Sequence, residues 1–158
     1  MERFGLDLAT MLPHLAALGI AYALALPIGW EREQDDRSAG LRTFPLVALA
    51  ACGFVQAVEN HLGGSPEAIA RIIEGIITGV GFIGGGAILK SGGSVQGTAT
   101  AASIWATGAI GAAVGLGAYD VAVTISLVTF LTLKVMGAMK EKVRPPERGT
   151  AAAGPDVG

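Results

Sequence analysis

The chain has 158 residues, of which 15% are charged and 24 are glycine, with a mean hydropathy of +0.56 and a formal net charge of −2. Its length suits one compact domain, and so little charge excludes a disordered chain or a nucleic-acid binder, both of which need many exposed charges. The same scarcity counts against a soluble enzyme, and the single Cys52 excludes an intramolecular disulfide framework and a cysteine zinc site.

Charge-poor segments recur in chain order. Residues 11–30 hold no Asp, Glu, Lys or Arg and predict a first membrane helix. A hydrocarbon core about 30 Å thick takes roughly 20 helical residues. Thr10 is placed to cap this helix, Pro13 falls in its first turn, and Pro27 is expected to kink or end it. The leader carries Glu2, Arg3 and Asp7, so it lacks the positive region of a cleaved signal peptide, and the first helix is expected to stay. Residues 44–58 are uncharged but short for a span unless polar ends extend them. Gly63-Gly64 closes that helix, and Ser65-Pro66-Glu67 opens the next with a capping hydroxyl, a first-turn proline and an acid at the positive end of the dipole. Residues 69–89 are interrupted only by Arg71 and Glu74. Residues 99–119 and 121–133 are again uncharged, with Asp120 placed to cap the fifth helix.

The expected fold is therefore an all-α integral membrane protein, a bundle of five transmembrane helices over residues 1–140. The segment 141–158 has no apolar period and is expected to be a disordered cytoplasmic tail. Nine of the eleven basic residues fall on one side of this arrangement: Arg32, Arg37, Arg42, Lys90 and the five that follow helix five. Only Arg3 and Arg71 fall on the other. The positive-inside rule then puts the N-terminus outside and the C-terminus in the cytoplasm.

Lipid tails are as apolar as leucine, so these helices must associate through close backbone approach and interhelical hydrogen bonds. Gly75 and Gly79 are four apart, as are Gly81 and Gly85, and Ser103, Thr107, Gly111 and Gly115 form one stripe. Thr100 extends the polar part of that fourth-helix face. Helices three and four are expected to be the packed centre or a self-association surface. The sharper alternative is an ion path lined by backbone. Gly84-Gly85-Gly86 weakens the end of helix three, which leaves two readings. One is a broken helix presenting carbonyls to a cation, and the other is a loosened end entering the loop at 91–94. The segment 86–91 lacks the glycine that a P-loop places before its lysine.

Glu74 is an acid at membrane depth, where ionisable groups are costly and often functional. Arg71 stands three residues earlier on the same face and offers a structural pair instead. Glu31 ends the first membrane helix and is the second candidate for an ion or proton site. Arg32 and Arg42 are candidate salt-bridge partners at that membrane edge. The loop that follows is rich in both charges, as a solvated connection or a hard-cation or partner site would be. His14 and His61 have no second ligand at metal spacing on their own helices, so a metal site stays open. No catalytic constellation emerges, and the protein is not expected to be an enzyme.

Glu31-Arg32, then Ala39-Gly40-Leu41-Arg42-Thr43, form one recognisable block. The run from Gly79 to Leu89 and the run from Val95 through Gly97 and Ser103 to Trp105 and Gly111 form others. Together they resemble the MgtC/SapB family of bacterial inner-membrane proteins. The resemblance implies a multi-pass inner-membrane protein of magnesium homeostasis. It implies either Mg2+ transport or regulation of other membrane complexes, such as the ATP synthase; five helices are few for a pore, so transport would need a homodimer or higher oligomer, and regulation would use the small-residue helix faces. It implies no cofactor beyond Mg2+ itself and no nucleic-acid partner. The chain would be a short form, without the soluble C-terminal domain of the virulence members. It departs from the family pattern with Thr98 where a leucine is expected after Gly97, and with Glu74 where amides are frequent.

Overall fold

The computed structural model describes residues 8–34, 39–63, 65–91 and 94–143. Five helices follow in order: α1 (Leu8–Gln34), α2 (Thr43–Leu62), α3 (Pro66–Gly86), α4 (Thr98–Gly115) and α5 (Tyr119–Val143). Between α3 and α4 lies a small antiparallel hairpin, β1 (Leu89–Ser91) and β2 (Ser94–Gln96), in the register Leu89 to Gln96 and Lys90 to Val95. The connection expected as a plain loop is thus a hairpin, so the chain is not wholly helical.

The start of α3 follows the sequence signal. Ser65 Oγ accepts the Ala68 N–H at 3.1 Å, and Pro66 takes the first helical position, where no donor is needed. Gly63 ends α2 at φ +62°, a left-handed position natural to glycine. Other boundaries correct the expectation. Thr10 lies inside α1 rather than capping it, and Pro27 does not end that helix, which runs on to Gln34. Asp120 sits within the first turn of α5, near the positive end of its dipole, because the helix begins one residue earlier at Tyr119. Helix α5 also continues to Val143, past the expected boundary at 140, and the remainder of the expected tail lies outside the described residues.

Helix α4 is the centre of the bundle and packs on all four other helices. Helix α3 packs only on α4 and α2, at the edge, and makes no substantial contact with α1 or α5. The expectation of a joint α3–α4 centre therefore holds for α4 alone. The reason is composition. Alanine, glycine, serine and threonine let four neighbours approach one axis closely. Ser103 and Thr107 pass their hydroxyls back to their own helix, to Ala99 O at 2.8 Å and Ser103 O at 2.8 Å, so both stay buried without a foreign partner. Phe44, Ile28, Ile104 and Ile110 fill the space around α4. On the far side, Ser126 Oγ donates to Leu24 O at 2.7 Å and ties α5 to α1.

Among the described residues, three helices are long and apolar enough to cross a membrane: Leu8–Gln34, Pro66–Gly86 and Tyr119–Met139. Thr43–Glu59 is apolar but shorter. Helix α4 falls outside this group because its small side chains face protein rather than lipid, so little selects for bulk there.

Candidate functional site

The antiparallel course of α1 to α4 gathers the end of α1, the start of α2, the end of α3 and the hairpin at one pole of the bundle. Here Gly29 and Glu33, one turn apart on α1, receive the segment 39–43. A Cβ on Gly29 would lie 3.3 Å from Gly40 O and 3.3 Å from Leu41 Cα. Glu33 accepts the Leu41 N–H at 3.0 Å, and a side chain at Gly40 would overlap that carboxylate. Gly40 O in turn accepts from Thr43 N at 3.0 Å and Phe44 N at 3.2 Å, starting α2. The small residues Ala39 and Gly40 are thus buried because the chain folds flat against α1. Glu33 was not singled out by sequence reasoning. The available signal was an acid one turn after a helical glycine, followed by a second glycine in the loop.

Glu31 is half-buried in the last turn of α1. Arg32 beside it is 4% exposed and is the one buried charged side chain among the described residues, where it retains an interaction with its surroundings. Arg42 is exposed at the start of α2. Glu74 lies on the outer surface of α3, some twelve residues and roughly 18 Å of helix rise from the pole that holds Glu31. Because α1 and α3 barely meet, the two carboxylates do not converge on one centre. Glu74 and Arg71 are both exposed, and no ion pair joins them among the described residues. No group of three or more His, Cys, Asp or Glu side chains able to hold a metal ion occurs among the described residues.

The glycines divide into two sets. Those of α4 are structural. Gly111 faces the Ala48 carbonyl of α2, and Gly115 faces Val55 Cβ and Cys52 O. Gly108 meets Val80 of α3, and Gly84 of α3 meets Ala101 O. The stripe of Ser103, Thr107, Gly111 and Gly115 is therefore covered by its own chain and is no free docking face; Thr100 at its head is also buried. The second set is open. Around Gly75, Gly79, Gly81, Gly85 and Gly86 nothing lies within 4 Å of where a Cβ would stand. Gly84-Gly85-Gly86 does not break α3, which remains helical to Gly86 and closes with Ala87 N donating to Gly84 O at 3.0 Å. Helix α3 thus ends at Gly86 and leads into the hairpin without a break at the glycines. Because Gly81 is in open space, Gly81→Ala is expected to raise thermal stability by about 0.5–1 kcal/mol through helix propensity alone. Thermal unfolding of the purified protein in detergent checks this, and a loss of stability would mean that something covers Gly81.

Two apolar grooves flank α3. One, of about 370 Å³, runs between α2 and α3 and includes Ala50, Phe54, Ile72, Gly75, Gly79 and Ile83. The other, of about 310 Å³, lies between α3, α4 and α5 around Ile77, Trp105, Leu116 and Val121. Neither is lined by an acid or base. These two grooves are thus apolar, whereas Glu31, Arg32 and Arg42 sit at the pole.

The sequence pattern of the MgtC family matches residues 18–142, from within α1 to the end of α5. The chain belongs to the MgtC family. "Protein MgtC" of Salmonella typhimurium (strain LT2) is 37% identical over 118 residues, covering 75% of this chain and 50% of the relative. "Uncharacterized protein slr0014" of Synechocystis is 40% identical over 119 residues, covering 74% and 49%. "Putative magnesium transporter YhiD" of Escherichia coli K12 is 38% identical over 117 residues, covering 68% and 53%. The chain spans about half the length of the curated relatives it matches. No solved structure matches it.

Proposed function

We propose that this chain is a multi-pass protein of the bacterial inner membrane that serves magnesium homeostasis by passing Mg2+ as a homo-oligomer. Family membership carries this reading, together with the magnesium-transporter name borne by YhiD. All five helices cross the membrane, with the N-terminus outside and the C-terminus in the cytoplasm. In support, Arg32, Arg42 and Lys90 gather at one pole of the bundle, and Arg71 stands toward the other. Trp30, 57% exposed near the basic pole, suits an aromatic belt at that interface.

Mg2+ sheds its water reluctantly, so a path for it needs retained waters and one or two carboxylates rather than a full protein cage. Glu74 meets the hydrated ion near the outer side and Glu31 meets it at the cytoplasmic pole. The two grooves described beside α3 are apolar, so the path is completed by a second copy. A non-transporting regulator is the second reading, favoured by the same apolar grooves. It would hold helices of other membrane complexes against α3, since the α4 stripe is covered. Neither reading assigns the chain a chemical step on a substrate.

Purified protein in liposomes loaded with a Mg2+-sensitive dye decides between them. Wild-type vesicles are expected to admit Mg2+ faster than empty ones, and Glu74→Gln and Glu31→Gln are each expected to slow entry severalfold. Wild-type vesicles no faster than empty ones would leave the regulatory reading.

A further inference from the structure

Helix α3 is held to its own chain by one narrow stripe. Ile76, Val80 and Gly84, four residues apart, are its buried positions, and they face α4. Directly opposite them on the helix stand Arg71, Gly75, Thr78 and Phe82, all exposed. Phe82 is 85% exposed, among the highest of any large apolar side chain described. Gly75 and Gly79 have open space where a side chain would stand, and they form part of the groove between α2 and α3. Five open glycines on one helix are costly. Each forgoes helix propensity of about 1 kcal/mol relative to alanine and gains no contact within the chain.

We propose that this face of α3 docks against α3 of a second copy of the same chain. The inference rests on the membrane-spanning part of the preceding reading and not on transport. The charges select the occupant. Copies of one chain insert in one orientation, so a pair of them is related by a two-fold axis along the membrane normal. Two α3 helices then lie parallel, and an isologous contact repeats each pairing in reverse. Arg71 and Glu74 differ by three residues, about 4.5 Å of rise. Arg71 of one copy therefore meets Glu74 of the other, twice. A lipid acyl chain offers neither charge a partner, whereas a second copy supplies both. Shape agrees with charge. Gly75, beside Arg71 and Thr78 on this face, lets the two backbones approach closely there, as small residues do in membrane helix pairs. The Phe82 ring of each copy lies one turn further along, against the other copy near Gly85 and Gly86.

The test uses the whole chain with Cys52→Ser as background, which removes the sole native cysteine. In native membranes under mild oxidation, Thr78→Cys is expected to give a disulfide-linked dimer. Val128→Cys, on the exposed face of α5, is expected to give none. In dilute liposomes, single-molecule photobleaching is expected to show mostly two-step spots for the wild type. Arg71→Glu and Glu74→Arg are each expected to lower the two-step fraction severalfold, and the combined swap to restore it. Gly75→Leu is expected to give monomers that still fold, since nothing lies within 4 Å of where its Cβ would stand. Single-step spots for the wild type at every density would overturn the proposal and leave lipid as the occupant. So would cross-linking through Val128→Cys instead of Thr78→Cys, or a combined swap that fails to recover. Subunit counting needs no Mg2+ flux, so failure of transport and failure of pairing are read separately.

Discussion

Gly111→Ala is expected to destabilise the bundle by about 2 kcal/mol, and Gly111→Leu to leave no folded protein. The added Cβ would overlap the Ala48 carbonyl oxygen of α2 and stand 2.8 Å from its carbonyl carbon and 2.9 Å from its Cα. The obstacle is helix backbone, which cannot rotate aside as a side chain can. Helix α2 would have to move off α4, loosening the most extensive helix contact in the chain. The gain in helix propensity from alanine, about 1 kcal/mol, offsets only part of this. Thermal unfolding in detergent, with Gly81→Ala alongside, separates packing from propensity because the same substitution is expected to carry opposite signs. Equal stability of Gly111→Ala and wild type would show that α2 and α4 do not approach as described.

The second large effect belongs to Gly97, at the start of α4. Its φ is +86°, a left-handed position, and a side chain there would overlap the Ala87 carbonyl oxygen and stand 3.0 Å from the carbonyl carbon. Gly97→Ala is expected to cost about 3 kcal/mol, roughly 1–2 from the backbone conformation and the rest from the overlap. Asparagine tolerates the left-handed region better than alanine but carries the same Cβ. Gly97→Asn is therefore expected to recover only the conformational share. Amide hydrogen exchange across the hairpin and the first turn of α4, where Ala101 N donates to Gly97 O at 2.8 Å, reports the loss locally. Full recovery by asparagine would mean that the overlap with Ala87 contributes nothing.

The helix starts and stops that the sequence made legible are those written in local chemistry. Ser65-Pro66-Glu67 and Gly63 need no tertiary information, because a cap and a left-handed turn are decided within four residues. Charge spacing likewise located five helical segments. What stayed illegible depends on neighbours. Gly79 and Gly111 look alike as sequence, each in a spaced small-residue pattern, yet one is open and the other is pressed against Ala48. No periodicity distinguishes a glycine that receives a helix of its own chain from one left uncovered. The Glu33 contact to Leu41 escaped for the same reason, since it depends on how the segment 39–43 folds back on α1, and the burial of Arg32 likewise depends on neighbours. The hairpin was missed because Leu89–Ser91 and Ser94–Gln96 are each too short to show an alternating pattern.

The central position of α4 bears on how such a chain is inserted. A span made of alanine, glycine and threonine gains little by leaving water for lipid on its own, and α4 falls outside the helices that are apolar enough to do so. Its favourable surroundings are α1, α2, α3 and α5. Three of these emerge from the ribosome before it and one after it. In the proposed five-span topology α4 would enter as the guest of helices already in place, and α5, more apolar, would close behind it. Under that topology, biogenesis of this bundle would be a cooperative act of the whole chain rather than five separate partitioning events.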